Sequence, residues 1–261
     1  MDRLEGKVVI VTGGARGLGG AAAEALCAEG AAVLIADVSD DAGEELAARL
    51  RDEERQAHYL HLDVRNEDHW ADAIAQCRSR WGGLTGLLNN AGVNNPVTIE
   101  DATPDSFRAL LEVNLIGPFL GIKAALPALR DSGGGSIVNV ASNSTHMALP
   151  TTALYGASKA AIANLAKTTA IHCALRGDGI RVNSVHPGAH LTDMMKSKEV
   201  QALPAVSAML KAIPLGRMGD PAEFGKLIAF LMSDDSAYIT ATELFCDGGL
   251  TAVSFADPAR S

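Results

Sequence analysis

The chain has 261 residues, is 48% hydrophobic and 20% charged, and carries a formal net charge of −9, the composition of a folded globular protein and not of a disordered one. A chain this acidic is repelled by nucleic-acid phosphates and anionic lipid surfaces, which excludes both as principal partners. Its longest unbroken apolar runs, such as Val8–Val11 and Ala31–Ala36, are strand-length and too short to span a bilayer.

In chain order, Lys7–Thr12 reads as a buried strand, followed by a glycine-rich turn and an alanine-rich helix around Gly20–Glu29. Ala31–Asp37 reads as the second strand, and Asp40–Glu53 as a helix with acidic residues in its first turn, where the helix dipole favours them. The strand His58–Val64, the helix Glu67–Trp81 and the strand Leu84–Asn89 follow. Pro104–Leu129 is expected to be one long helix bent near Gly117-Pro118, because proline has no amide to donate there. The strand Ser136–Ala141, the long helix Thr152–Arg176, the strand Ile180–Val185, the helix Pro221–Ser233 and the short strand Glu243–Cys246 complete the series. Such alternation predicts parallel strands joined by right-handed crossovers. Runs such as Val8-Val9-Ile10-Val11 suit strands covered on both faces. The expected fold class is therefore α/β, a single-domain doubly wound parallel sheet (residues 1–261) with helices on both faces. Only His190–Arg217 breaks the rhythm, with two prolines and three methionines, and it is expected to be a substrate lid.

Three patterns point to chemistry. In Thr12-Gly13-Gly14-Ala15-Arg16-Gly17-Leu18-Gly19, Gly13 allows a tight turn, Gly17 admits a pyrophosphate close to the backbone, and Gly19 lets the helix pack on the sheet. The helix N-terminus behind it offers free amides to phosphates. Asp37 closes the second strand, where a carboxylate can bind both adenosine ribose hydroxyls and repel a 2′-phosphate, which favours NAD. Arg16 is the opposing feature, since a cation in the glycine turn can help hold a 2′-phosphate. Finally, Tyr155 and Lys159 stand four apart on a predicted helix and share a face. A free phenol titrates at about 10, so an adjacent ammonium, together with the positive charge of oxidised nicotinamide, is expected to lower it.

Together with Asp63-Val64, Asn89-Asn90-Ala91-Gly92, Asn114, Ser142, Pro187-Gly188, Thr192 and Asp247-Gly248-Gly249, these motifs make the chain resemble the short-chain dehydrogenase/reductase family from Leu4 to about Gly249. The resemblance implies a Rossmann fold and an NAD-dependent oxidoreductase interconverting a secondary alcohol and a ketone. It implies Tyr155 as general acid/base and Lys159 as the residue that lowers its pKa and holds the nicotinamide ribose. Ser142 would position the substrate oxygen, and Asn114 would bend its helix and hold a water linking Lys159 to solvent. Cofactor contacts are implied for Gly13, Arg16, Gly17, Leu18, Gly19, Asp37, Asp63, Val64, Asn90, Ala91, Gly92, Pro187, Gly188, His190 and Thr192. Asp63 and Val64 would meet the adenine, Asn90 would lie behind the ribose, and Pro187, Gly188, His190 and Thr192 would lie along the nicotinamide. The resemblance is nearest to bacterial hydroxysteroid and alicyclic-alcohol dehydrogenases, which implies a hydrophobic cyclic or steroid-like substrate.

Departures from the family pattern fall at Asn143-Ser144-Thr145-His146-Met147-Ala148 and at His190. Asn143, His146, Met194 and Met195 are candidates for the substrate pocket, and Met209 is read as apolar lining or lid packing. No histidine or cysteine spacing suggests a metal site. Cys27, Cys77, Cys173 and Cys246 are scattered, without a CxxC pair, as in a reducing cytoplasm. The start Met1-Asp2-Arg3-Leu4-Glu5 does not read as a signal peptide, so the sequon Asn143-Ser144-Thr145 is not expected to be glycosylated. The long helices imply, through the resemblance, a homotetramer or homodimer whose partner is otherwise a small-molecule substrate. Two alternative readings are an NADPH-dependent 3-oxoacyl-carrier-protein reductase and a non-catalytic nucleotide-binding protein.

Overall fold

The computed structural model describes residues 3–192 and 204–253. Seven strands, β1 (Val8–Thr12), β2 (Ala32–Asp37), β3 (Ala57–His61), β4 (Gly86–Asn89), β5 (Gly135–Val140), β6 (Ile180–Pro187) and β7 (Glu243–Cys246), form one sheet in the order β3-β2-β1-β4-β5-β6-β7. Every neighbouring pair is parallel.

Alternation along each strand divides the core between the two faces. Val9, Val11, Val33 and Ile35 pack with α1 (Gly17–Ala28), α2 (Asp40–Asp52) and α8 (Pro221–Met232). Val8, Ile10 and Leu34 pack on the opposite face with α3 (Glu67–Trp81), α5 (Gly117–Asp131) and α6 (Ala153–Arg176). α1 and α8 approach until their backbones nearly touch, and a Cβ on Gly225 would lie 2.6 Å from the Ala21 carbonyl oxygen. Asn66 caps α3, and capping boxes start α4 (Pro104–Leu111, Thr103 with Ser106) and α8 (Asp220 with Glu223). No side chain caps α1.

Four sequence expectations are corrected. The bend expected at Gly117-Pro118 lies one turn earlier, in a π-helical turn (Glu112–Ile116) between α4 and α5. Pro118 falls in the first turn of α5, where a missing amide costs little. β3 stops at His61 instead of Val64, because the Asp63 carboxylate accepts the Arg65 amide at 3.0 Å and turns the chain. The presumed lid contains a helix, α7 (Pro204–Ala212), that its composition did not reveal. Finally, the composite helix Pro104–Asp131 is long and apolar enough to cross a membrane, although no apolar run in the sequence suggested it. In the fold it is a sheet-covering layer, with Leu110, Leu120, Ile122, Ala125 and Leu129 buried.

Candidate active site

The strand order reverses between β1 and β4, and a crevice opens there beyond the carboxyl ends of the strands. The glycine turn closes one side of it. Gly13 and Gly17 both have φ +59°, a left-handed conformation that glycine adopts without strain. A Cβ on Gly13 would lie 2.9 Å from Ala91 Cα, and one on Gly19 would drive into the Gly13 carbonyl. Thr12 Oγ1 accepts the amides of Asn90 and Ala91 at 3.0 and 3.1 Å, while Asn90 Nδ2 donates to the carbonyls of Thr12 and Gly13, each at 3.0 Å. The Asn90 side chain therefore braces the turn through its Nδ2.

Behind this turn, the uncapped amides of α1 suit a pyrophosphate. Asp37 Oδ2 accepts the Ala15 amide and Oδ1 the Ser39 amide, each at 3.0 Å. Each oxygen keeps lone pairs for a ribose diol. A cleft of about 560 Å³ runs from here past Leu18, Asp63, Val64, Ala91 and Gly92. Two cations flank it, the exposed Arg16 and Arg65. Arg65 grips both oxygens of Asp63 (Nη2 to Oδ2 2.6 Å, Nε to Oδ1 2.9 Å) and holds that carboxyl at about 2. Arg65 went unnoticed in the sequence, although it stands two positions from Asp63. The cradle, carboxylate and cleft fit a dinucleotide.

At the other end of the crevice, the π turn places Asn114 inside the protein, fully buried. Its Oδ1 accepts the Val93 amide at 2.8 Å, while Nδ2 donates to the Val93 carbonyl at 2.9 Å and to Ser158 Oγ at 3.1 Å. Gly92 gives Lys159 and Asn114 room, since a Cβ there would stand 3.2 Å from Lys159 Nζ and 3.3 Å from Asn114 Oδ1, closer than ordinary contact. Lys159 donates to the Val140 carbonyl at 2.8 Å, and its Nζ lies 5.7 Å from the centre of the Tyr155 ring. Ser142 begins a 3₁₀ turn (Asn143–Thr145), and its Oγ accepts the Ser144 amide at 3.1 Å and lies 3.3 Å from Asn143 Oδ1. The structure thus gathers Asn114, Ser142, Tyr155 and Lys159 from four separate segments, with Asn143 beside them.

Burial dominates the electrostatics of the pair. Desolvation pushes the Tyr155 phenol above its ordinary value, against a hydrogen bond with Ser142 that lowers it. Full burial lowers the Lys159 amine to about 8. Without further charge in the crevice, the ammonium does not bring the phenol toward neutrality. The lowering expected from the sequence includes the positive charge that an oxidised nicotinamide would add when bound.

The loop beyond β6 crosses back over the glycine turn, and Thr192 Cγ2 would lie 3.9 Å from a Cβ on Gly17. Gly188 donates its amide to the Cys246 carbonyl at 3.0 Å, and a Cβ there would press on Asp247 at 2.8 Å, so Pro187-Gly188 is seated against the end of β7. The His190 side chain packs against the end of β7. Its buried ring has Nδ1 3.0 Å from the Gly188 carbonyl and Nε2 3.7 Å from Cys246 Sγ, and stands edge-on to Phe224. His146 lines the same pocket as His190. It bonds Glu243 Oε2 at 2.7 Å and stands edge-on to Phe245 at the β7 border of the sheet. Met194 and Met195 lie outside the described residues.

One cluster escaped the sequence reading altogether. His146, His186 and Glu243 offer three ligand atoms within 4.8 Å of one another, although they are far apart in the chain. Lys167 pairs with the same carboxylate, which supplies the balancing charge from within the protein.

Residues 13–251 match the family described as enoyl-(acyl carrier protein) reductase. A "3-alpha-(or 20-beta)-hydroxysteroid dehydrogenase" of Mycobacterium tuberculosis (strain ATCC 25618 / H37Rv) is 40% identical over 250 residues, 96% of this chain and 91% of that one. The chain belongs to the short-chain dehydrogenase/reductase family. It is also 39% identical to the trans-4-hydroxycyclohexanecarboxylate dehydrogenase of Sinomonas cyclohexanicum, across 96% of this chain and 95% of that one. The cyclopentanol dehydrogenase of Comamonas testosteroni is 37% identical, across 97% of this chain and all of that one (100%). A solved structure from Sinorhizobium meliloti 1021, provisionally described as a short-chain alcohol dehydrogenase, superposes with a TM-score of 0.89 at 33% identity, covering 95% of this chain and 98% of that one. The protein is accordingly an oxidoreductase acting on CH–OH groups with a nicotinamide cofactor, and its sheet is the expected Rossmann-like α/β fold.

Proposed function

We propose that this short-chain dehydrogenase/reductase interconverts a hydrophobic cyclic secondary alcohol and its ketone, using NAD. The observation that carries the reading is the convergence of Ser142, Tyr155, Lys159 and Asn114 at the reversal point of the sheet, beside a cradle that ends at Asp37. Ser142 would orient the substrate oxygen, and Tyr155 would exchange its proton. Lys159 would hold the nicotinamide ribose and tune the phenol, and Asn114 would keep the β4 loop in place behind them. When bound, the cofactor accepts or supplies the hydride at its nicotinamide ring.

NAD is favoured because a 2′-phosphate would have to sit against the Asp37 carboxylate. Arg65 is clamped onto Asp63, and Arg16 is the other cation lining the cleft that could meet a 2′-phosphate. Substrate class follows the names of relatives 37–40% identical over nearly the whole chain, which act on ring alcohols. Neither the acyl-carrier reductase nor the non-catalytic alternative gains support from those names. We extend the proposal to a substrate lid over residues 190–217 and to a cytoplasmic homotetramer. Exposed apolar side chains at Phe119, Ile171 and Leu175 support the assembly, and four free thiols suit a reducing compartment.

The test is to mix the purified protein with NAD or NADP and cyclopentanol, cyclohexanol or a 3α-hydroxysteroid, and follow absorbance of the reduced cofactor. Turnover with NAD and a ring alcohol is expected. No turnover with any ring alcohol sinks the substrate class, and a strong preference for NADP sinks the cofactor assignment.

A further inference from the structure

His186 is fully buried on β6, beneath the turn that begins at Ser142. Three donors converge on one carbonyl, that of Ser142: the Thr145 amide at 3.1 Å, Thr145 Oγ1 at 2.8 Å and His186 Nδ1 at 3.0 Å. A carbonyl only accepts, so Nδ1 carries the proton, which it shares with Thr145 Oγ1 at 2.8 Å. Nε2 is then a lone pair, which accepts the Ser184 hydroxyl at 3.0 Å. Glu243 Oε2 lies 3.5 Å from that nitrogen, and the carboxylate is held by His146 and Lys167. Burial holds His186 below its ordinary titration range, against the opposing pull of its bond to Ser142 and of Glu243, while His146 and Lys167 reinforce the burial. The ring thus stays neutral and in one tautomer at neutral pH.

A neutral ring with a defined donor is a rigid strut, because a buried imidazole cannot leave its partner without stranding a polar group. Among the described residues, the Ser142 hydroxyl bonds only to its own turn, through Ser144 and Asn143, and to Tyr155. It accepts the Ser144 amide of the same turn, so its position is set by how that turn is held. The clamp on the Ser142 carbonyl comes from β6, part of the rigid sheet.

We propose that His186 is a positioning residue for the alcohol–ketone chemistry, bracing the Ser142 carbonyl so that the Ser142 hydroxyl presents to the substrate oxygen. The inference rests on the reading that Ser142 orients substrate. Neither His146 nor Glu243 touches Ser142, and their part is to keep His186 in place.

The experiment measures kcat and KM for the best ring alcohol with NAD, and NADH affinity by fluorescence titration, in His186→Leu, His186→Asn, Thr145→Val and Ser142→Ala. Misplacing a reacting group slightly costs large factors in rate, so His186→Leu should lower kcat at least about tenfold while NADH affinity stays within about twofold. His186→Asn keeps a donor close to the Nδ1 position and should recover most of the rate. Should His186→Leu fail to fold, Thr145→Val removes another donor to the same carbonyl and should show the same split. Unchanged kcat in His186→Leu, or in Thr145→Val where the leucine variant does not fold, overturns the proposal, as does loss of NADH affinity in step with kcat or failure of the asparagine to rescue. If Ser142→Ala itself keeps full activity, the substrate-orienting reading fails instead, and the bracing role fails with it.

Discussion

At Tyr155 and Lys159 the protein sets burial against charge. The phenol is pushed up by desolvation, and the amine is drawn down to about 8 because its only hydrogen bond among the described residues is to a neutral carbonyl, that of Val140. Holding a charged lysine there costs folding energy. Below pH 8 the folded protein carries the penalty in full. Between about 8 and the ordinary 10.5 the unfolded chain binds more protons than the folded one, so this group's contribution to stability rises with pH. Lys159→Met should therefore stabilise the cofactor-free protein at pH 7 by about 1–2 kcal/mol, the ~1.36 kcal/mol per pKa unit being partly offset by the lost hydrogen bond. The gain should vanish by pH 10.5 in urea titrations run at both pH values, and turnover should be abolished. Tyr155→Phe should lower kcat by about 10³-fold or more with cofactor binding kept, the size expected when a proton-transfer group is removed. It should also erase the rise of alcohol oxidation with pH, which a rate–pH profile would show.

Among the elements, the π turn and the glycine turn position the site. Asn114 belongs to a helix but spends both ends of its amide on Val93, and the helix widens by one residue to let it turn inward. Asn114→Ala takes away the partner of the Val93 amide and carbonyl and of Ser158 Oγ. It should cost about 1–2 kcal/mol in chemical unfolding and reduce kcat. Asp37 ties the glycine turn to β2 through Ala15 and also faces the ribose end of the cleft. Asp37→Ser removes the negative charge while keeping a short polar side chain. It should weaken NAD binding at least about tenfold and raise kcat/KM with NADP, a change of about 1.4 kcal/mol or more measurable by steady-state kinetics with both cofactors.

In the whole molecule, the cradle depends on packing far from it. α1 carries the phosphate-facing amides at one end and rests on α8 at Gly225. A Cβ there would meet the Ala21 carbonyl at 2.6 Å and Ala25 Cβ at 2.9 Å, and the backbone atom cannot yield without moving the helix. Gly225→Ala should cost about 1–3 kcal/mol in stability, the usual range for overpacking. It should also weaken NADH binding, although residue 225 touches no part of the cleft, and calorimetry together with NADH titration would show both effects.

What the sequence determined is local and periodic. Apolar runs fix strands, the amphipathic helices follow their 3.6-residue repeat, and Thr12–Gly19, Asp37 and the Tyr155–Lys159 pair are short motifs whose geometry their own spacing dictates. Tertiary structure decided whatever depends on which strands pair. His146, His186 and Glu243 meet because β6 lies between β5 and β7, an adjacency that no spacing within the chain encodes. The same holds for Asn90, claimed by two backbone carbonyls, for His190, folded into the end of β7, and for the Lys159 amine, whose proton affinity is set by the protein surrounding it. Hydrogen bonds and desolvation act through space, so the partners that fix an orientation or a charge appear only once the sheet is assembled.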